Sequence, residues 1–204
     1  TLWTRSFGGS GAQFLGSVAP TPDGGLILSG GTAGYLWLIK VDANGDPIWS
    51  RTLSPSLLGT NLTGVAVTAD GGLIVAGGAA LVKTDSLGAQ SWLASSDACQ
   101  SVAEYPTGGF VTAGWSDIFM GAAMKTDAAG NVLWTYTPYD QTTLAALPSS
   151  AGGAWVVGER CCDGADGFPM ACLTRVDSTG AELFSNMQAD SGYSVASAVE
   201  GTAD

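Results

Sequence analysis

A chain of 204 residues is long enough for one well-buried domain or a short array of repeats. Only 12% of it is charged while 30 residues are glycine, which excludes a disordered chain and calls for many tight turns. The net charge of −11, with seven scattered Lys and Arg, excludes nucleic acids and anionic membranes as partners, because both are held by clustered cations.

The chain has no histidine, so the commonest general base, the commonest zinc ligand and the Ser-His and Cys-His pairs are all missing. No apolar run is long enough for a membrane-spanning helix, and membrane insertion is not expected. The sequence opens on Thr1 without a visible signal peptide, so an upstream part is expected to have been removed.

Taken in order, the chain repeats itself. Residues 1–7 contain Trp3-Thr4-Arg5, which aligns with Trp49-Ser50-Arg51 and reads as the outer strand of a preceding unit. In residues 15–53, Ser17-Val18-Ala19 forms a first strand, Asp23-Gly24-Gly25 a turn, and Leu26-Ile27-Leu28 a second strand ending near Gly30. A third strand closes on Lys40-Val41-Asp42, a turn on Gly45, and a fourth strand carries Trp49. Residues 60–95 repeat this with Gly64-Val65-Ala66, Gly71-Gly72, Leu73-Ile74-Val75, Lys83-Thr84-Asp85, Gly88 and Trp92. Residues 98–138 do so with Ser101-Val102-Ala103, Gly108-Gly109, Phe110-Val111, Lys125-Thr126-Asp127, Gly130 and Trp134. Residues 142–188 follow with Ala145-Ala146-Leu147, Gly152-Gly153, Ala154-Trp155-Val156-Val157, Arg175-Val176-Asp177, Gly180 and Phe184. In residues 193–204, Ser194-Val195-Ala196 restates the first strand of a further unit, and Glu200-Gly201 falls where Asp-Gly belongs.

Each turn has a physical reason. Glycine supplies a positive φ, and an Asp side chain accepts backbone N–H groups just ahead of it. The second strand is apolar at consecutive positions, so both of its faces are buried. Units of four short antiparallel strands, about 42–50 residues long, achieve that burial by stacking face to face as blades. The predicted fold is an all-β propeller segment of about four and a half blades, part of a larger ring. Its remainder would come from the rest of its own propeller or from further copies.

The pattern Asp-Gly-Gly-(apolar)-Gly followed by Lys-x-Asp-x-x-Gly-x-x-x-Trp resembles the bacterial extracellular propeller repeats of the SBBP and delta-60 type. More broadly it resembles the WD40 and quinoprotein-like superfamily. The resemblance runs along the whole chain, but the residues that carry it are those that build blades. The Lys-x-Asp series is accordingly read as strand-end ion pairs or turn capping, and the Trp series as packing between blades. Trp37 and Trp115 fall outside the repeat; they read as packing, with an exposed sugar-contacting role as the alternative.

The fourth unit carries an insertion between its second and third strands, Cys161-Cys162-Asp163-Gly164-Ala165-Asp166-Gly167-Phe168-Pro169, with Cys172 just after it. With Cys99 this accounts for all four cysteines, read as disulfides stapling a loop, and four cysteines allow three pairings. Vicinal Cys161-Cys162 lacks the Cys-x-x-Cys spacing of a zinc site. Asp163 and Asp166, with backbone carbonyls, could line a calcium loop, although no further acid falls at EF-hand spacing. A vicinal disulfide beside a quinone is what the quinoprotein resemblance would imply, yet the chain departs from those proteins at Lys-x-Asp. Asn61-Leu62-Thr63 matches a glycosylation sequon, a pattern common by chance.

The expected function is therefore a binding, adhesion or assembly module that is secreted, cell-surface or periplasmic. It would meet a protein or carbohydrate at a surface and use no cofactor beyond the calcium alternative. The competing expectation is a quinoprotein-like oxidoreductase or other propeller enzyme with its active site in blades outside this sequence.

Overall fold

The structure, a computed structural model, describes residues 4–56, 63–77, 79–96, 100–115, 121–139, 141–160 and 170–188. These form four four-stranded antiparallel sheets with no helix among the described residues. Blade 1 comprises β1 (Gln13–Pro20), β2 (Leu26–Thr32), β3 (Tyr35–Val41) and β4 (Pro47–Ser56). Blade 2 comprises β5 (Thr63–Val67), β6 (Leu73–Gly77), β7 (Ala80–Thr84) and β8 (Gln90–Ser95). Blade 3 comprises β9 (Ser101–Glu104), β10 (Phe110–Trp115), β11 (Gly121–Thr126) and β12 (Val132–Tyr136). Blade 4 comprises β13 (Gln141–Pro148), β14 (Ala154–Arg160), β15 (Met170–Val176) and β16 (Glu182–Gln188). In every blade sequential strands are neighbours in the sheet.

The blades fall into two units, Thr1–Ser95 with blades 1 and 2, and Ser96–Asp204 with blades 3 and 4. Within the first, Ala19, Ile27, Leu36, Leu38 and Leu53 on one face of blade 1 pack against Val65, Leu73, Val75, Ala80 and Val82 of blade 2. Within the second, Tyr105, Val111, Ala113, Ala123, Trp134 and Tyr136 of blade 3 pack against Ala146, Ala154, Val156 and Val176 of blade 4. The rule is the same in both: the forward face of one blade, which bears the Lys and Trp of the repeat, meets the rear face of the next. This two-sided burial is why the second strand is apolar without alternation, each fully buried Val, Leu or Ile contributing about 1.5–3 kcal/mol.

Strand register sets the repeated residues in rows. Ile27 lies opposite Lys40 and Lys40 opposite Trp49. The corresponding rows are Ile74, Lys83 and Trp92, then Val111, Lys125 and Trp134, then Trp155, Arg175 and Phe184. Directly paired residues share one face of a sheet, so each row is a stripe across the forward face. The register slips immediately after each of the four basic residues, where a bulge turns the chain into the β3–β4-type hairpin.

In blades 1, 2 and 4 the two glycines of the Gly-Gly pair are needed for different reasons. Gly71 has φ +80° with open space where a Cβ would stand, so it meets a backbone requirement. Gly72 instead lies against the carbonyl oxygen of Thr84, and Gly153 against that of Val176, leaving no room for a Cβ.

Residues 4–9 lie in no strand, unlike the outer strand expected over 1–7. They nevertheless dock on blade 1. Arg5 Nη2 meets Asp46 Oδ1 at 3.0 Å, and Phe7 packs against the buried Trp37, Ile39 and Val41 of the rear face. The further first strand expected in 193–204 lies outside the described residues.

Candidate functional site

The two turns of every blade, β1–β2 and β3–β4 in type, share one end of the sheet because the strands alternate in direction. At that end the four basic residues of the repeat divide into two kinds. In blade 1, Asp23 accepts a hydrogen bond from Lys40 Nζ at 2.5 Å, one from Thr21 Oγ1, and one from the Gly25 N–H. These bonds, Lys40's foremost, hold its carboxyl far below the usual carboxylate range. In blade 2, Asp70 accepts from Thr68 Oγ1 at 2.6 Å, from the Gly72 N–H at 2.9 Å, and from Lys83 at 3.0 Å on both oxygens. The Thr68, Gly72 and Lys83 bonds, in that order, pull its pKa down to about 2.

Blades 3 and 4 have no such Asp: Thr107 and Ala151 stand in its place, and Tyr105 and Ser149 replace the Thr. Lys125 turns instead to the Tyr105 ring, 4.3 Å from its centroid, and donates to the Gly152 carbonyl of the next blade at 2.6 Å. Tyr105 itself donates to the Gly153 carbonyl at 3.0 Å, and burial pushes its phenol well above the ordinary range. Arg175 lies over the Trp155 ring at 5.1 Å, and Trp155 meets Phe184 edge-on at 5.7 Å. The sequence reading of ion pairs thus holds for Lys40 and Lys83, while Lys125 and Arg175 are aromatic-clad. Tyr105 was missed; its signal was the loss of Asp from the Asp-Gly-Gly turn.

The second turn is uniform. The Oδ1 of Asp42, Asp85, Asp127 and Asp177 each accepts two backbone N–H groups, from Asn44 and Asp46, Leu87 and Ala89, Ala129 and Asn131, and Thr179 and Ala181. The fourth residue of each loop, Gly45, Gly88, Gly130 or Gly180, has positive φ. Hydrogen bonding lowers the pKa of Asp42, chiefly through the Asp46 N–H, of Asp127, chiefly through Asn131, and of Asp177, chiefly through Thr179. All four Asp of the Lys-x-Asp series are therefore turn caps.

Of the repeat aromatics, Trp49 sits on Gly88 of blade 2, and Trp134 on Gly180 of blade 4. Trp92 is half-buried and Phe184 is 44% exposed, so packing between blades does not describe Phe184 here. Trp37 is no exposed loop residue: it lies within β3, buried, and its Nε1 donates to Ser50 Oγ at 2.7 Å. Trp115 ends β10. The bridge expected of Cys172 is not formed: its free thiol is buried in β15, 3.0 Å from Ser185 Oγ, which in turn lies 3.0 Å from Thr174 Oγ1. That strand position faces the blade interface, where a small, weakly polar side chain is accommodated by hydroxyls. Nearby, Tyr136 donates to Glu182 Oε2 at 2.6 Å across the same interface. Cys99, Cys161, Cys162, Asp163 and Asp166 lie outside the described residues. Among those described, no three His, Cys, Asp or Glu gather as metal ligands.

The opposite end of the blades is where they differ. Residues 33–34 join β2 to β3 and residues 78–79 join β6 to β7, whereas residues 116–120 join β10 to β11 and 161–169 join β14 to β15. Gln141, paired with Arg160 at this end of blade 4, is buried with its Nε2 lacking a hydrogen-bond partner. No repeat position or motif singles out Gln141 in the sequence.

No family model matches the chain, and neither does the sequence of any curated protein. Solved structures do. The WD40 domain of Neurospora crassa Pan2 is 13% identical at TM-score 0.59, covering 84% of this chain and 49% of that one. The Dos1 propeller is 17% identical at TM-score 0.57, covering 87% and 48%. BamB from Moraxella catarrhalis is 14% identical at TM-score 0.48, covering 84% and 63%. The chain thus has the β-propeller fold and spans about half the length of the first of these structures.

Proposed function

We propose that this chain is a binding and assembly segment of a propeller that works outside the cytoplasm. Its second unit would meet a protein or carbohydrate at a surface through the segments 116–120 and 161–169. The observation behind this is the contrast between the two blade ends. At one end the second turn has the same chemistry in every blade, its Asp capping backbone N–H groups and its Gly at positive φ. At the other, the number of residues between the second and third strands differs from blade to blade, as where loops carry specificity on a constant scaffold. The motif likeness to SBBP and delta-60 repeats supports the same reading, as does a composition low in charge and free of histidine.

The experiment is cross-linking on intact cells of the source organism, compared with a variant whose two long segments are each replaced by the Ala33-Gly34 pair. Cross-links to an envelope protein or polysaccharide should map to these segments of the second unit and disappear in the variant while its melting temperature holds. Cross-links that persist in the variant, or a visible absorbance band from a bound cofactor in the purified protein, would overturn the reading.

A further inference from the structure

Blade stacking follows one rule in both units, and two faces of the chain are prepared for it without being covered. On the forward face, Leu38 of blade 1, Leu81 of blade 2 and Ala123 of blade 3 are buried, yet Leu173 at the same position of blade 4 is 37% exposed. Phe184, in the place of the buried Trp134, is exposed, and Trp155, in the place of the buried Ile27 and Val111, is only half-buried. Arg175 adds a second mark: its Nε is buried without a hydrogen-bond partner, whereas Lys125 at the same position finds the Gly152 carbonyl of the following blade.

The rear face of blade 1 is the reverse case. Val18 is 56% exposed where Val65 of blade 2 and Ala146 of blade 4 are buried. Leu26 and Leu28 are half-buried where Leu73 and Val75, or Ala154 and Val156, are fully covered. Residues 4–9 lie against this face through Phe7 and leave Leu15 and Val18 exposed and Leu26 and Leu28 half-buried.

Among the described residues, one chain therefore carries an exposed forward face and an exposed rear face, which are the two halves of the contact it already makes twice. We infer that this chain associates head to tail with a second copy of itself, the forward face of blade 4 resting on the inner strands of blade 1 of the next copy. Leu147, Trp155 and Leu173 meet Val18, Leu26 and Leu28 in this contact. It is a heterologous interface, so it builds a closed ring or an open array according to its rotation. The inference is independent of the surface-binding reading above, which concerns the segments 116–120 and 161–169.

Sedimentation velocity on the 204-residue chain tests it, with Leu173→Asp and Val18→Asp as variants on the two faces. Both positions are exposed, so far-UV circular dichroism should be unchanged in each, and the two variants should melt alike. The expected result is a particle of at least twice 20.5 kDa for the parent chain and 20.5 kDa for each variant alone. An equimolar mixture of the variants should regain a dimer, because one sound face remains on each. A parent that stays at 20.5 kDa overturns the inference and leaves these faces to other blades or another protein. Association that survives in both variants, or a mixture that does not regain a dimer, overturns it as well.

Discussion

Lys125 Nζ lies 2.6 Å from the carbonyl oxygen of Gly152, so a cation on the third blade is tied to the turn of the fourth. The same repeat position in the first two blades is tied to an Asp of its own blade, Asp23 or Asp70. One repeat residue thus performs two jobs, holding a hairpin together in one unit and holding blades together in the other.

Lys125→Met should separate these jobs. It keeps the stem but removes a charged donor, at a cost of about 1.5–3 kcal/mol for such a bond, discounted toward the lower value because the side chain is partly exposed. Lys40→Met breaks an exposed ion pair and should cost about 0–1 kcal/mol. Urea unfolding midpoints of the two variants check the order, and equal losses would contradict it.

The pH dependence of the first unit follows from Asp70. Its folded pKa of about 2 lies below its ordinary 3.8, so the unfolded chain binds more protons in that window. The stability it contributes is complete above 3.8 and is lost as pH falls through about 2; Asp23, lowered further, extends the same trend. Asp70→Asn should therefore lower the urea midpoint at neutral pH, with the difference from the parent chain shrinking on acidification through this window. A constant difference across it would show that the carboxylate's charge is not what matters.

The Gly-Gly pair predicts a ranking between neighbours. Gly71→Ala places an alanine at φ +80° in open space, a left-handed penalty of about 1–2 kcal/mol. Gly72→Ala drives a Cβ into the Thr84 carbonyl and the Lys83 ammonium, a clash that backbone must move to relieve. That adds to the usual overpacking cost of about 1–3 kcal/mol and should exceed the Gly71 effect. Thermal unfolding of the two variants decides.

Cys172 should be silent toward iodoacetamide in the folded chain and fully alkylated in guanidinium, as read by peptide mass. Its burial at 1% exposure shields the thiol, and no bridge protects it. Rapid labelling of the native protein would mean that blade 4 opens at its interface with blade 3.

The architecture was legible because each local signal occurs four times and each occurrence corrects the others. Asp42, Asp85, Asp127 and Asp177 could be read as turn caps from spacing alone, since an Asx turn is made within a few residues. The fate of Lys125 and Arg175 could not, because it depends on what a neighbouring blade presents. Even so, the exchange of Asp for Thr107 and Ala151 alongside Tyr105 and Trp155 is visible afterwards as one coordinated change. Trp37 falls outside the repeat, but its strand parity sets it opposite the buried Gly30 and on the same face as Ile39 and Val41, and parity is lost to sight where flanking turns are short. Phe184 matches its siblings in sequence and differs in burial, since exposure depends on the neighbour and not on the residue.

The ties between blades 3 and 4 also have a direction. Lys125 and Tyr105 both reach forward, to the carbonyls of Gly152 and Gly153. With either blade removed, these donors or acceptors turn to water at little cost. What neither blade can replace is the apolar cover, Val111, Ala123 and Trp134 on one side and Ala146, Val156 and Val176 on the other. Blades 3 and 4 should consequently come apart in a single step, neither outliving its neighbour.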